Sequence, residues 1–234
     1  MVYFFLTLGI VASVVFVFNR RAEVSLKVVV MKGIASIFFV FTALFSCAYN
    51  PDCPTYLGIC TVAGALMGML GDIALDLKYA YHKDSTSYLK LGLVCFLIGH
   101  IFYFISILSV YGASLKNLCI SVCFGAVLFA GVMLTEKLLK LNYGKFQIVT
   151  AVYIGVVGLT CGLGLSYALF EPSAHTVSFA VAMGFFLLSD ALLAGLYFGI
   201  SEKDRKNQIA ITFNHIFYYA AQYLIATSLI FCRG

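Results

Sequence analysis

Long apolar runs separated by short polar connections extend along this chain from one end to the other. Each run is close to the roughly 20 residues that an α-helix needs to cross a bilayer. The runs cover residues 2–18, 27–47, 56–76, 89–111, 115–134, 146–169, 176–199 and 209–231. This pattern predicts an all-α polytopic membrane protein, with eight transmembrane helices in a single transmembrane domain over residues 1–234.

The first apolar run has the position of a cleavable signal peptide as well as that of a membrane helix. A signal peptide carries positive charge before its apolar core. In this chain Arg20 and Arg21 come after the core instead. We therefore expect a first helix that is retained.

Composition agrees with a membrane protein and excludes a soluble globular domain. Hydrophobic residues make up 62% of the chain, charged residues only 11%, and the mean hydropathy is +1.01. An average soluble domain has about 25% charged residues. The cysteines show no spacing typical of a metal site, and we expect no cofactor.

Basic residues collect in alternate connections. On the predicted topology, thirteen of the fifteen lysines and arginines lie on one side, and only Lys116 and Arg233 lie on the other. The thirteen are Arg20, Arg21, Lys27, Lys32, Lys78, Lys83, Lys90, Lys137, Lys140, Lys145, Lys203, Arg205 and Lys206. The positive-inside rule makes that side cytoplasmic and places both termini in the lumen or outside. The net charge of +5 then indicates contact with anionic membrane lipids, not nucleic-acid binding.

A short signature occurs twice. The letters H-I-F-Y begin at His100 and again at His215, and an aspartate precedes each histidine, Asp72 by 28 residues and Asp190 by 25. This match predicts an internal duplication with halves 1–113 and 114–234. Because four helices per half is an even number, the two halves would enter the membrane in the same direction, as in parallel-repeat transporters.

The four residues of this signature are the strongest candidates for chemistry. Ionisable side chains inside membrane segments are costly, and they are functional candidates by default. We expect Asp72, Asp190, His100 and His215 to be catalytic and to share a polar site in the cytoplasmic half of the membrane. The alternatives remain open at this stage: the aspartates could clamp helices together, and each histidine could hold helices together by donating to a backbone carbonyl.

Further polar residues lie close to these four along the predicted helices. Asp76 follows Asp72 by one helical turn and shares its face, although a solvated position near the loop is an equal alternative. Tyr103 and Tyr218 each follow a histidine by three residues, and packing is their default role. The candidate substrate-binding residues are Asp76, Lys78, Tyr103, Asn214, Tyr218, Tyr219 and Gln222. In addition, Gly64, Gly68 and Gly71 form a stripe that predicts close helix packing.

Sequence motifs of other hydrolases are missing from the chain. It has no G-x-S-x-G, no P-loop and no H-E-x-x-H. What remains is a pair of carboxylic acids with imidazoles nearby, which are groups suited to acid–base catalysis.

Four ordered motifs resemble the lysoplasmalogenase (YhhN-like) family of integral membrane proteins. They are L-G-D-I-A-L at 70–75, F-L-I-G-H-I-F-Y at 96–103, L-L-S-D-A-L-L-A at 187–194 and Y-Y-A-A-Q-Y-L-I at 218–225. The resemblance implies hydrolysis of the vinyl-ether bond of a lysoplasmalogen to a fatty aldehyde and glycerophosphocholine or glycerophosphoethanolamine. It also implies that Asp72 and Asp190 are the essential acids, and that the protein acts in the endoplasmic reticulum membrane.

The chemistry that this resemblance implies suits two buried acids. Cleavage begins with protonation of a double-bond carbon, which creates an oxocarbenium ion that water attacks. One acid and one base are needed, much as in glycosidases. Burial in the bilayer favours the neutral acid, and a second carboxylate nearby reinforces this. The sequence does not show which aspartate is the acid.

Two other functions remain open. The two aspartates and two histidines could together bind zinc in a metal-dependent lipid hydrolase. Parallel repeats with buried acids also suit a proton-coupled transporter or lipid-handling protein. Against transport, no proline- or glycine-broken helix pair occupies matching positions in the two halves. The expected partners are a lysophospholipid and membrane lipids, and the oligomeric state is open.

Overall fold

A computed structural model describes residues 1–21, 25–139 and 141–232, with the backbone alone at Lys137. The described residues form α-helices joined by short turns, which confirms the all-α prediction. The helices are α1 (Val2–Asn19), α2 (Leu26–Tyr49), α3 (Thr55–Ala80), α4 (Ser85–Tyr111), α5 (Leu115–Leu138), α6 (Gln147–Phe170), α7 (Ala174–Phe198), α8 (Glu202–Arg205) and α9 (Gln208–Ser228). Lys140 and Arg233, two of the basic residues that predict the orientation, lie outside the described residues.

Within residues 1–21, 25–139 and 141–232, seven helices, α1 to α7, are long and apolar enough to cross a membrane. The chain is therefore a multi-pass membrane protein, but the prediction of eight spans is not confirmed. The last long helix, α9, is 21 residues long and is not among the seven. The polar residues Asn214, His215 and Gln222 lower the hydropathy of α9. All three are buried inside the protein.

Six helices form a closed ring, in the order α2, α3, α4, α6, α7 and α9, with α9 packed back against α2. The other two long helices lie outside this ring, α1 against α2 and α9, and α5 against α6. The outer helices expose large apolar side chains such as Phe4 and Val15 of α1 and Val127 and Leu134 of α5. These are the surfaces that lipid covers in a bilayer.

The helix order is the same in both halves of the chain. In each half the first long helix lies outside and the next three belong to the ring, since α1 is followed by α2–α4 and α5 by α6, α7 and α9. This order is what a parallel duplication would produce. The duplication itself stays a prediction.

Small residues let α3 approach its neighbours closely, as the glycine stripe predicts. A Cβ atom at Gly64 would lie 2.5 Å from the ring of Tyr103 and 3.0 Å from the carbonyl oxygen of Gly99. A Cβ atom at Gly68 would lie 2.6 Å from the side-chain nitrogen of Gln222 on α9. Close packing at these positions brings α3, which carries Asp72, against both α4 and α9.

Local sequence signals explain where the site-bearing helices begin. Ser173 caps α7 by accepting from the backbone N–H of Thr176, whose hydroxyl accepts from the backbone N–H of Ser173 in return. Asn207 caps α9 by accepting from the N–H groups of Ile209 and Ala210. Side-chain oxygens at these positions satisfy N–H groups that the first helical turn leaves free. The caps fix the register in which α7 and α9 present their polar residues.

Candidate functional site

Both aspartates of the repeated signature line one cavity, at the end of the ring where α1 and α3 end and α9 begins. Its internal volume is about 30 Å³. Asp72 of α3 and Asp190 of α7 contribute to its wall, as do Asn214, His215 and Tyr218 of α9. The structure therefore brings together residues that are far apart in the sequence, as the signature predicts.

Asp72 is held by charge and by two hydroxyl groups. Its side chain is buried, with 2% of the residue exposed. The Lys32 ammonium nitrogen lies 3.3 Å from Asp72 Oδ1, while Ser36 and Tyr218 donate to Oδ2 over 2.6 Å and 2.8 Å. All of these contacts stabilise an ionised carboxylate. Asp72 thus has a counter-charge and two donors in place.

Asp76 belongs to the same buried ion-pair network and not to the solvated surface. Its Oδ1 atom lies 3.6 Å from the nitrogens of both Arg20 and Lys32, and the residue is fully buried. Arg20 and Lys32 were both expected in the first basic connection, and this is confirmed for Arg20 but wrong for Lys32. Lys32 lies inside α2, Arg20 directly follows α1, and each is only 4% exposed. Their charges are used inside the protein because the two carboxylates are buried beside them.

Asp190 has a different environment. Tyr153 of α6 donates to its Oδ2 atom over 2.8 Å, and 8% of the residue is exposed. Among the residues that the structure describes, no lysine or arginine forms an ion pair with Asp190. The two acids of the cavity are therefore not equivalent, since only Asp72 has a cation beside it.

A chain of hydrogen bonds leads away from Asp72 through the predicted substrate-binding residues. Tyr218, which donates to Asp72, accepts a 3.1 Å bond from the Gln222 amide. Gln222 Oε1 in turn accepts a 2.8 Å bond from Tyr103. Tyr219 lies 3.4 Å from the Ser36 hydroxyl, which donates to Asp72. The structure thus gives these residues a role in orienting Asp72, and Tyr218 also lines the cavity.

Asn214 of α9 lines the cavity and bonds to α7. Its amide nitrogen donates to the backbone carbonyl and to the hydroxyl of Ser189, over 2.8 Å and 2.9 Å. Ser189 immediately precedes Asp190 on α7 and also lines the cavity. Asn214 therefore fixes α9 against the segment of α7 that carries the second acid.

The two histidines, identical in their local sequence, occupy different places. His215 lines the cavity and donates from Nδ1 to the carbonyl of Ile211 over 2.7 Å. His100 is 1% exposed and is not among the residues that line the cavity. It lies behind the Phe186 and Tyr153 rings, with centroid distances of 4.8 Å and 6.0 Å. The shared site therefore includes three of the four signature residues directly.

The remaining predictions concern Lys78 and a metal. The Lys78 ammonium lies over the Tyr197 ring, 3.0 Å from its centroid, and Lys78 is not among the cavity residues.

No group of three or more His, Cys, Asp and Glu side chains is arranged to hold a metal ion in the described part of the chain. The structure therefore does not assemble the zinc ligand set that the sequence left open.

A groove between α1 and α9 lies next to the cavity, on the outer face of the protein. This α1–α9 groove has a volume of about 720 Å³ and is lined mainly by apolar side chains, including Ile10 and Val14 of α1 and Ile216 of α9. His215 lines both the groove and the cavity, and Arg21 lies at the end of the groove. The groove and the polar cavity therefore meet at His215.

Several residues of the site were not predicted as site residues from the sequence. They are Arg20, Lys32, Ser36, Tyr153 and Arg205. The one available signal was the position of Lys32, five residues inside an apolar run of spanning length. The others look like ordinary loop charges or like packing residues.

The YhhN family model matches residues 27–229 of this chain. The matched range contains both aspartates, both signature histidines and Lys32. No curated protein and no solved structure matches the chain.

We expect the substitution Lys32→Met to destabilise the protein by about 3–5 kcal/mol, because it leaves buried carboxylates without their shared counter-charge. The free energy of unfolding of detergent-purified protein measures this effect. Lys203→Met, which changes an exposed lysine on α8, should stay within about 0.5 kcal/mol of wild type. Adding Asp76→Asn to Lys32→Met should restore part of the loss. Equal free energies of unfolding for Lys32→Met and Lys203→Met would contradict the buried ion-pair network.

Proposed function

Because the chain belongs to the YhhN family, the family of lysoplasmalogenases, we propose that it hydrolyses the vinyl-ether bond of lysoplasmalogens. The products are a fatty aldehyde and glycerophosphocholine or glycerophosphoethanolamine. The observation that carries this proposal is the unlike environment of two buried acids in one cavity. Asp72 has Lys32 beside it, and Asp190 has a tyrosine hydroxyl and no described ion pair.

This difference assigns a role to each acid. A buried carboxylate without a counter-charge costs several kcal/mol, so Asp190 keeps its proton and acts as the acid. Asp72 is ionised beside Lys32 and acts as the base. Tyr153 orients the Asp190 carboxyl group, and Ser36 and Tyr218 orient that of Asp72.

The reaction begins when Asp190 transfers its proton to the second carbon of the vinyl ether. The double-bond electrons form the new C–H bond, and the first carbon becomes an oxocarbenium ion. The ionised Asp72 stabilises this cation and accepts a proton from the water that attacks it. A hemiacetal results, with Asp190 ionised and Asp72 protonated.

The hemiacetal then collapses and restores both acids. Asp190 accepts the proton of the hemiacetal hydroxyl while the C–O bond to glycerol breaks. Asp72 donates its proton to the leaving glycerol oxygen. The aldehyde and the alcohol leave, one water has been consumed, and each aspartate has returned to its starting charge.

The α1–α9 groove supplies a place for the hydrocarbon chain of the substrate. It is apolar, it lies on the outer face, and it meets the cavity at His215. A lysolipid would move sideways from the bilayer, with its chain between α1 and α9 and its ether bond at the two acids. His215 lies where the chain joins the polar part of the substrate. The lipid substrate supports a location in the endoplasmic reticulum membrane, with the basic connections in the cytoplasm.

Removing either acid should abolish turnover while the fold remains. We expect Asp190→Asn and Asp72→Asn each to lower kcat by about 10²–10⁴-fold, the usual contribution of a general acid or base. The assay is aldehyde release from an alkenyl lysophospholipid by detergent-purified protein. Tyr153→Phe removes the hydrogen bond to Asp190 alone and should cost less, about tenfold.

The matched control is Asp52→Asn, which changes an exposed aspartate in the turn between α2 and α3. It should retain full activity. Gel filtration and thermal melting establish that each variant is folded. Wild-type protein that binds lysolipid without releasing aldehyde would favour the lipid-handling alternative. Activity that persists in both folded aspartate variants would exclude the two-acid mechanism.

Filling the groove should weaken the use of long chains selectively. Ala220 of α9 lines the groove, and we expect Ala220→Phe to raise KM several-fold for a long alkenyl chain. A short chain that ends before Ala220 should react normally, because it does not reach the new ring. Ala130→Phe makes the same change at an exposed position of α5 and should alter neither substrate. Equal effects of Ala220→Phe on both chain lengths would argue against the groove as the chain site.

A further inference from the structure

The cavity that holds the two acids contains one more cation than its ionised acids require. Arg20, Lys32 and Arg205 all line it. Arg20 and Lys32 form ion pairs with Asp72 and Asp76. The Arg205 guanidinium instead donates to the backbone carbonyls of Gly199 and Ile200, over 2.9 Å and 3.2 Å. With Asp190 neutral, a surplus of one positive charge remains at the mouth of the cavity.

Arg20 has a donor available for a further partner. Its residue is 4% exposed, and its Nε atom has no hydrogen-bond partner among the described residues. Its contact with Asp76 is 3.6 Å long, which exceeds ordinary hydrogen-bond length. Buried donors in folded proteins are almost always satisfied. An anionic group in the cavity would satisfy this one.

The two acidic residues of α8 each have another partner as well. Glu202 pairs with Lys206 over 2.7 Å, and the Asp204 carboxylate accepts from the Ser201 hydroxyl over 2.5 Å. Neither Glu202 nor Asp204 is among the residues that line the cavity. Glu202 also interacts electrostatically with Arg205, but it is exposed and lies outside the cavity wall, where solvent screens the attraction.

The position of Arg20 relative to Asp72 fits the geometry of a glycerophospholipid. Asp72 and Asp76 are four residues apart on α3, so their positions differ by one turn, about 6 Å along the helix. Arg20 lies beside Asp76, one turn from the acid assigned as the base. In a glycerophospholipid the glycerol carbons separate the ether oxygen from the phosphate by a comparable length.

We propose that Arg20 and Arg205 form the binding site for the phosphodiester of a lysophospholipid whose ether bond lies at Asp72 and Asp190. This inference rests on the proposed function and assigns the head-group end of the same site. A phosphodiester carries one negative charge, which matches the surplus cation. Guanidinium groups suit it because they donate two parallel hydrogen bonds to phosphate oxygens.

The test measures binding without turnover, with the full-length protein in detergent. One ligand is a 1-O-alkyl glycerophosphocholine, whose saturated ether resists hydrolysis, and the other is the 1-O-alkylglycerol with the same chain and no phosphate. Calorimetry gives the dissociation constant of each. We expect wild-type protein to bind the phosphate-bearing ligand about 10- to 100-fold more tightly, the usual effect of a charge-assisted hydrogen bond.

Substitution of either arginine should remove this preference. Arg20→Gln and Arg205→Gln should each weaken the phosphate-bearing ligand about 10- to 100-fold and leave the alkylglycerol unchanged. Arg205 is exposed at the mouth, so its variant tests the site even if Arg20→Gln does not fold. Lys203→Gln is the matched control, an exposed cation on the same short helix, and it should alter neither ligand.

Three results would overturn the inference. They are equal binding of both ligands by wild type, equal weakening of both ligands by the arginine variants, and the same loss in Lys203→Gln. Inorganic phosphate should displace the lysolipid only at far higher concentration, and equal potency would mean a site for the free anion. Failure of the proposed function is a separate result, because protein without hydrolase activity could still show the phosphate preference.

Discussion

The buried contact between Lys32 and two aspartates determines the rest of the site. Three charged groups, with Arg20 as a fourth, are buried inside the protein and at most 4% exposed. Each would be costly alone, because removing one partner of a buried pair costs about 3–5 kcal/mol. They are tolerated only together, and this requirement joins α2 to α3 and the end of α1 to both. The polar cavity exists because these helices must meet there.

The same contact explains why two similar acids differ in chemistry. Ser36 precedes Asp72 by 36 residues and donates to it, and Tyr153 precedes Asp190 by 37 and does the same. Lys32 lies four residues before Ser36 on α2, whereas Val149 stands four residues before Tyr153 on α6. A cation therefore lies one turn from the hydroxyl donor of Asp72, and a valine lies one turn from that of Asp190. The proposed division into one proton donor and one ionised base depends on that difference.

Sequence patterns predicted the helices and singled out Asp72 and Asp190 as site candidates. A long apolar run and an acid within it are both local signals. The partners of the acids depend on helix packing, which local signals do not contain. The buried partners of Lys32 and Arg20 become visible only once α2 packs against α3 and Arg20, after the end of α1, lies beside Asp76. The tetrapeptide shared by His100 and His215 implied equal roles, but α9 has α1 on its outer side while α4 packs against α6. The same tetrapeptide therefore has different neighbours at His100 and at His215.

The central claim is that Asp190 is neutral and Asp72 ionised in the resting protein at neutral pH. Infrared difference spectroscopy of the purified protein reports this directly through the carbonyl stretch of a protonated carboxylic acid. The account predicts a buried carboxylic acid band that disappears in Asp190→Asn and persists in Asp72→Asn. A band that persists in Asp190→Asn and disappears in Asp72→Asn would reverse the roles. The absence of any such band from wild-type protein would contradict the account altogether.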